Sequence, residues 1–152
     1  MENVVRLWAS AGIAAMVAIA LLVAVQPARA AVGIDEKLGD KVPMDLLLID
    51  EDGKSVKLGD LLDRPTILNL VYYRCPGICG PLMGGISELL DSIKEQVPGE
   101  DFQVLTISFN AEENAEMAKR KKENYYRSFH KEMSPKAWRF LTAPQESIDA
   151  IN

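Results

Sequence analysis

Histidine is almost missing from this chain: among 152 residues there is one, His130, beside two cysteines, Cys75 and Cys79. One histidine and no nucleophile elbow leave no assignable Ser-His-Asp set. Two Cys and one His also fall short of the four protein ligands that a closed zinc site takes. Positive charge is in deficit, with 17 Lys and Arg against 22 Asp and Glu for a net charge of -5. An acidic chain gives phosphate backbones no electrostatic footprint, which argues against nucleic acid as a partner. Proline (8) and glycine (10) show no excess, and 48% hydrophobic with 26% charged residues is ordinary for a soluble globular protein, so neither a disordered nor a fibrous class fits. Repeats and low-complexity tracts are absent. The cluster Gly77, Gly80, Gly84 and Gly85 lacks the Lys-Ser/Thr ending and the acidic partner of phosphate-binding loops. The length suits one core rather than two.

What is present begins with an export signal. From Leu7 to Val25 the chain is apolar apart from Ser10, and Ala28-x-Ala30 then offers small residues where signal peptidase cuts. The run is long for a signal and near the ~20 residues that span a bilayer, so residues 1–30 read as a cleaved signal peptide or a retained membrane anchor, with membrane association through residues 7–25. Either places the rest outside the cytoplasm, in a periplasm, soluble or anchored to the inner membrane, where disulfides are permitted. Residues 31–41 read as a linker with a short helical patch at Asp35 to Leu38, and the folded domain spans 42–152.

Inside that domain, Leu46 to Ile49 and Ser55 to Leu58 flank Asp52-Gly53 as a β-hairpin. Gly59 to Asp63 is one helical turn, stopped by Arg64-Pro65. Thr66 to Tyr73 is apolar, β-branched and aromatic without two-fold alternation, the pattern of a central strand covered on both faces. Leu82, Ile86, Leu89, Leu90, Ile93 and Val97 recur at helical spacing until Pro98-Gly99. Phe102 to Phe109 is a second buried strand. Glu112 to Phe129 is a charged helix, acidic early and basic late as the helix dipole favours, its charges forming a solvated face. Trp138 to Thr142 is a third strand, and Pro144 opens a last helix at its first position. Strands alternating with helices call for an α/β sandwich with a parallel core and an N-terminal hairpin. A helix with no strand after it suggests a domain truncated at its C-terminus, with a sheet edge left exposed.

The chemistry concentrates at Cys75-Pro76-Gly77-Ile78-Cys79. The segment follows a strand and opens a helix, the position where open α/β sheets hold their sites. Free amide N–H groups at a helix start stabilise a thiolate, Arg74 adds a cation nearby, and Pro76 fits the first helical position. Oxidoreductases of the C-x-x-C kind have two intervening residues; three put both sulfurs on one helical face with room for a soft ion. Thiolates select Cu(I) or zinc, and with too few ligands for zinc a Cu(I) or Cu(II) site completed by one further ligand fits better. Thiol-disulfide exchange, with Cys75 attacking and Cys79 resolving, stays open. So does a plain disulfide staple, although so short a loop would stabilise little. His130, among exposed residue types at a helix end, reads as a surface residue rather than a ligand.

Asp52-Gly53-Lys54 with Val56, Leu58 to Leu62, Pro65, Tyr72-Tyr73-Arg74 before Cys75-Pro76-x-x-Cys79, Phe102 to Phe109, and Trp138 to Thr142 together make a pattern that resembles the Sco/SenC family of thioredoxin-like proteins. The resemblance covers about Val42 to the end. It implies a thioredoxin-like fold and an exported or membrane-anchored copper-binding protein that helps assemble the dinuclear copper centre of cytochrome c oxidase. Some members reduce the cysteines of that centre instead. The implied partner is the copper-receiving subunit of the oxidase or another periplasmic thiol protein. The implied copper ligands are Cys75, Cys79 and a histidine in a later segment, which falls beyond Asn152; His130 has no comparable place. Two departures stand out: Gly80 intervenes before Pro81, and Asn110-Ala111 replaces an Asp-Pro, which removes a carboxylate near the site.

Overall fold

The strand Gln103–Ser108 has every residue buried, and the rest of the fold is arranged around it in the computed structural model, which describes residues 38–151. Along the chain the elements are β1 (Leu47–Ile49), β2 (Ser55–Lys57), α1 (Leu58–Leu61), β3 (Thr66–Val71), α2 (Cys79–Ser92), β4 (Gln103–Ser108), α3 (Ala115–Ser128), β5 (Trp138–Thr142) and α4 (Gln145–Ile151). They form one sheet in the order β2-β1-β5-β4-β3. β4 runs parallel to β3 (Thr66 opposite Gln103) and to β5 (Val104 opposite Trp138), while β1 is antiparallel to both β2 and β5. The expected hairpin is therefore present, and Gly53 at φ 82° makes its turn in a conformation that glycine adopts without strain.

Two-residue alternation along each strand divides the apolar side chains between the faces of the sheet. Val71, Val104, Trp138 and Phe140 lie with Met83, Ile86 and Leu90 of α2 and with Met117 and Ala118 of α3. On the other face Leu48, Leu105, Ile107 and Leu141 lie with Leu58 of α1 and Ile148 of α4. The α/β sandwich read from the sequence is thus the observed architecture, assembled within the unit Lys41–Asn152. The export segment 1–30 and linker residues 31–37 lie outside the described residues, as does most of the helical patch expected at Asp35 to Leu38; Leu38 itself is in an exposed turn. No helix among the described residues is long and apolar enough to cross a membrane.

Four local expectations need correction. β3 is the outer strand of the sheet among the described residues, not a central one, and Ile67 and Leu68 are 40% and 38% exposed. An apolar run reports the character of the side chains and not which backbone edge is paired. α2 stops at Ser92, well before Pro98-Gly99, because Ile93 turns extended (ψ 132°) and Val97 is left in solvent. The Lys131 ammonium donates to the freed carbonyl of Ile93 (3.0 Å), a long-range contact invisible in local periodicity. α3 begins at Ala115 and not at Glu112: the Asn114 side chain accepts from the Met117 amide (3.1 Å) and so takes the N-cap position, leaving Glu112 and Glu113 outside the helix. Pro144 precedes α4 by one residue, its carbonyl accepting from the amides of Ser147 and Ile148.

A thiol pair at the carboxyl end of β3

β3 ends at Val71, whose carbonyl accepts from the Phe109 amide at 3.1 Å, and the next two tyrosines part company. Tyr72 turns outward and lies against Phe109 with ring centroids 4.0 Å apart. Tyr73 turns inward, is buried, and donates its hydroxyl to the carbonyls of Leu141 (2.6 Å) and Thr106 (3.2 Å). Its phenol is pushed well above the ordinary range by burial, with the charge of Glu113 adding to it, so it serves as a fixed donor and not as an acid. The chain then folds back, Cys75 N–H donating to Tyr72 O at 3.2 Å, and reaches α2 at Cys79.

Both cysteines are free thiols, Cys75 half-buried and Cys79 buried. Their environments differ in sign. The Cys75 thiol is drawn below its ordinary value by the amide N–H groups of Cys79 and Gly77, then by a hydrogen bond with the Cys79 side chain and by the Ile78 amide. These N–H groups belong to the bend before α2 and to its first residue, where amide donors have no helical partner. Burial pushes the Cys79 thiol up, and its hydrogen bond with Cys75 pushes the same way. Deprotonation therefore begins at Cys75. Arg74 does not assist: its guanidinium is turned to Met117, Nη2 to Sδ 3.4 Å, and the amides act in its place. Pro76 lies in the bend before α2 and not at its first position, three residues ahead of Cys79.

Local periodicity carries no warning of Glu113. It is 4% exposed, and its carboxylate accepts from the amides of Tyr73 (Oε2, 2.7 Å) and Arg74 (Oε1, 2.8 Å) and from the Ser108 hydroxyl (2.5 Å). A residue expected on a solvated helix face is thus a buried acid beside the cysteine loop. It also supplies a carboxylate near the site where Asn110-Ala111 has none; Asn110 instead accepts from the Glu112 amide in a local turn (3.0 Å). The only signal that could have marked Glu113 was its place before an Asn N-cap, where a helix cannot claim it.

His130 stays away from the pair. It is exposed at the far end of α2, its Nδ1 2.5 Å from Asp91 and its amide 3.0 Å from the same carboxylate. Asp91 lies twelve residues beyond Cys79 on one helix, about 18 Å at 1.5 Å per residue. Among the described residues no group of three or more His, Cys, Asp or Glu could enclose a metal ion.

The chain is similar to a crystal structure from Aquifex aeolicus VF5, named for a proposed role in electron transfer, at 33% identity and TM-score 0.60, over 75% of this chain and 66% of that one. It is similar to Arabidopsis thaliana ScoI with copper bound at 30% identity and TM-score 0.53, over 69% and 60%. Similarity to Bradyrhizobium japonicum ScoI with copper bound is 26% with TM-score 0.52, over 70% and 61%. The chain thus spans about two thirds or less of the length of these relatives. No curated protein sequence matches it. A thioredoxin-like Sco fold is common to the chain and these structures. The SCO1/SenC family profile matches residues 35–151, and the chain belongs to that family.

Proposed function

We propose that this protein is a copper-binding metallochaperone that acts in assembly of the copper centre of cytochrome c oxidase, with Cys75 and Cys79 as two ligands of the carried ion. The observation that carries the proposal is the pair of free thiols at the start of α2, Cys79 opening the helix and Cys75 in the bend before it, with the Cys75 thiol drawn down and the Cys79 thiol pushed up by their surroundings. Two adjacent sulfurs, one of them readily deprotonated, suit a soft cation. Copper-bound relatives within the same family support the choice of ion. Two protein ligands leave the site open for a third, for which the histidine expected beyond Asn152 is the candidate. An open site is also a labile one, and cargo has to leave. The copper-receiving subunit of the oxidase is the proposed partner. The proposed setting is a periplasm, with residues 1–30 as signal or anchor, residues 31–41 as linker and residues 42–152 as the working domain.

Competition with a Cu(I) chelator under reducing conditions tests this. The unmodified chain is expected to take up one Cu(I), and Cys75→Ser and Cys79→Ser each to lose at least 100-fold in affinity, since one thiolate holds the ion poorly. Full affinity in either variant would sink the assignment. A second reading, thiol-disulfide exchange, is favoured by the asymmetry of the pair: an accessible thiol drawn down and a buried partner held protonated suit attack and resolution. Under that reading Cys79→Ser traps a mixed disulfide through Cys75.

A further inference from the structure

The amides of Tyr73 and Arg74 lie just past the end of β3, where the ladder with β4 has stopped and no strand partner remains. Unpaired buried N–H groups there would be costly. Glu113 reaches them from the loop before α3, across 40 and 39 residues of sequence, with one carboxylate oxygen for each amide. Ser108, the last residue of β4, holds Oε2 from the other side. Glu113 is itself anchored, its amide donating to Asn110 O at 3.0 Å. The carboxylate thus joins three segments: the end of β4, the start of α3 and the two residues immediately before Cys75. No cation pairs with it among the described residues, so its burial is compensated by these three donors alone.

We propose that Glu113 is the positioning residue of the thiol site: by gripping the backbone of Tyr73 and Arg74 it fixes the turn that holds Cys75 against Cys79. The proposal rests on the reading of the cysteine pair as the working group and adds a residue to it. Groups that orient metal ligands without touching the metal are commonly worth about 10- to 100-fold in affinity. The same preorganisation favours the intramolecular disulfide, because a loosened turn lowers the effective concentration of one thiol at the other. Glu113→Ala removes both acceptors. Glu113→Gln keeps the shape and one acceptor oxygen but turns an N–H₂ group toward one of the two amides. Ser108→Ala withdraws one donor and leaves both amide bonds in place.

The test uses the full chain and compares Cu(I) affinity by chelator competition with the equilibrium constant of the Cys75–Cys79 disulfide against glutathione, thermal melting serving as the check on folding. Glu113→Ala is expected to lose about tenfold in each, which for the two-electron couple is about 30 mV toward easier reduction. Glu113→Gln is expected to recover part of both losses, and Ser108→Ala to stay within about threefold of the unmodified chain, consistent with loss of one bond to an acid that keeps two. A folded Glu113→Ala with both constants unchanged overturns the proposal. Should Glu113→Ala fail to fold, unchanged constants in Glu113→Gln overturn it equally. Absence of both copper binding and disulfide formation in the unmodified chain overturns the reading of the pair itself, a result that needs no Glu113 variant and so is distinct.

Discussion

At the scale of single residues, the two thiols differ because one faces a helix start and the other faces the core. Cys75 receives amide N–H groups, and Cys79 is enclosed with Met83 and Val71. Alkylation should therefore proceed in order: iodoacetamide modifies Cys75 first, with a pH–rate inflection below the ~8.5 of an ordinary thiol, while Cys79 lags. Peptide mapping after short labelling across pH 5 to 9 checks this, and preferential labelling of Cys79 would contradict the arrangement. Cys75 and Cys79 were legible from spacing and position alone, because a helix start has the same donors in every protein. Glu113 was not, since its partners Tyr73 and Arg74 lie 40 and 39 residues away and local charge patterning cannot separate a buried acid from a solvated one.

Among the elements, α3 shows how a boundary is decided. Asn114, in extended conformation (φ -125°, ψ 171°), caps the helix through Met117 N, and the charged run before it is excluded. Asn114→Ala should cost about 1 kcal/mol of stability, read as a lowered midpoint in urea with an unchanged slope. The loss should extend to the site, because the cap and Glu113 are adjacent in sequence. Strand and helix positions were legible to within a few residues wherever a turn residue or β-branched run marked them, as at Gly53 and at Trp138–Thr142. The end of α2 was not, since Ile93 and Val97 continue the helical spacing while the backbone leaves it; the contacts that take over come from Lys131, far along the chain. Nor was the outer place of β3, because edge and centre differ in backbone partners that an apolar run does not encode.

For the molecule as a whole, one residue couples the layers most directly. Trp138 is fully buried, packs at 4.8 Å centroid distance against both Tyr125 and Phe140, and donates Nε1–H to Thr106 Oγ1 at 2.7 Å. The Thr106 hydroxyl passes the chain on to Asn69 Oδ1 at 2.8 Å, so β5, β4 and β3 share one polar thread through an apolar layer. Trp138→Phe leaves a void and removes the donor, and should destabilise by about 3 kcal/mol, measured by denaturant unfolding. A loss below about 1 kcal/mol would show that the thread carries little.

The N-terminal hairpin has its own consequence for how the chain reaches this state. β1 joins the sheet only through β5, with Ile49 opposite Thr142, and Ser147 Oγ locks onto Leu47 O across 100 residues of sequence. Contacts so distant in sequence raise the entropic barrier to folding and slow it relative to locally connected folds. During synthesis the hairpin and the thiols at Cys75 and Cys79 emerge before β5 exists to receive the hairpin. Cys79 thus waits for Trp138 and Phe140 of β5 before the buried layer that it shares with them can close.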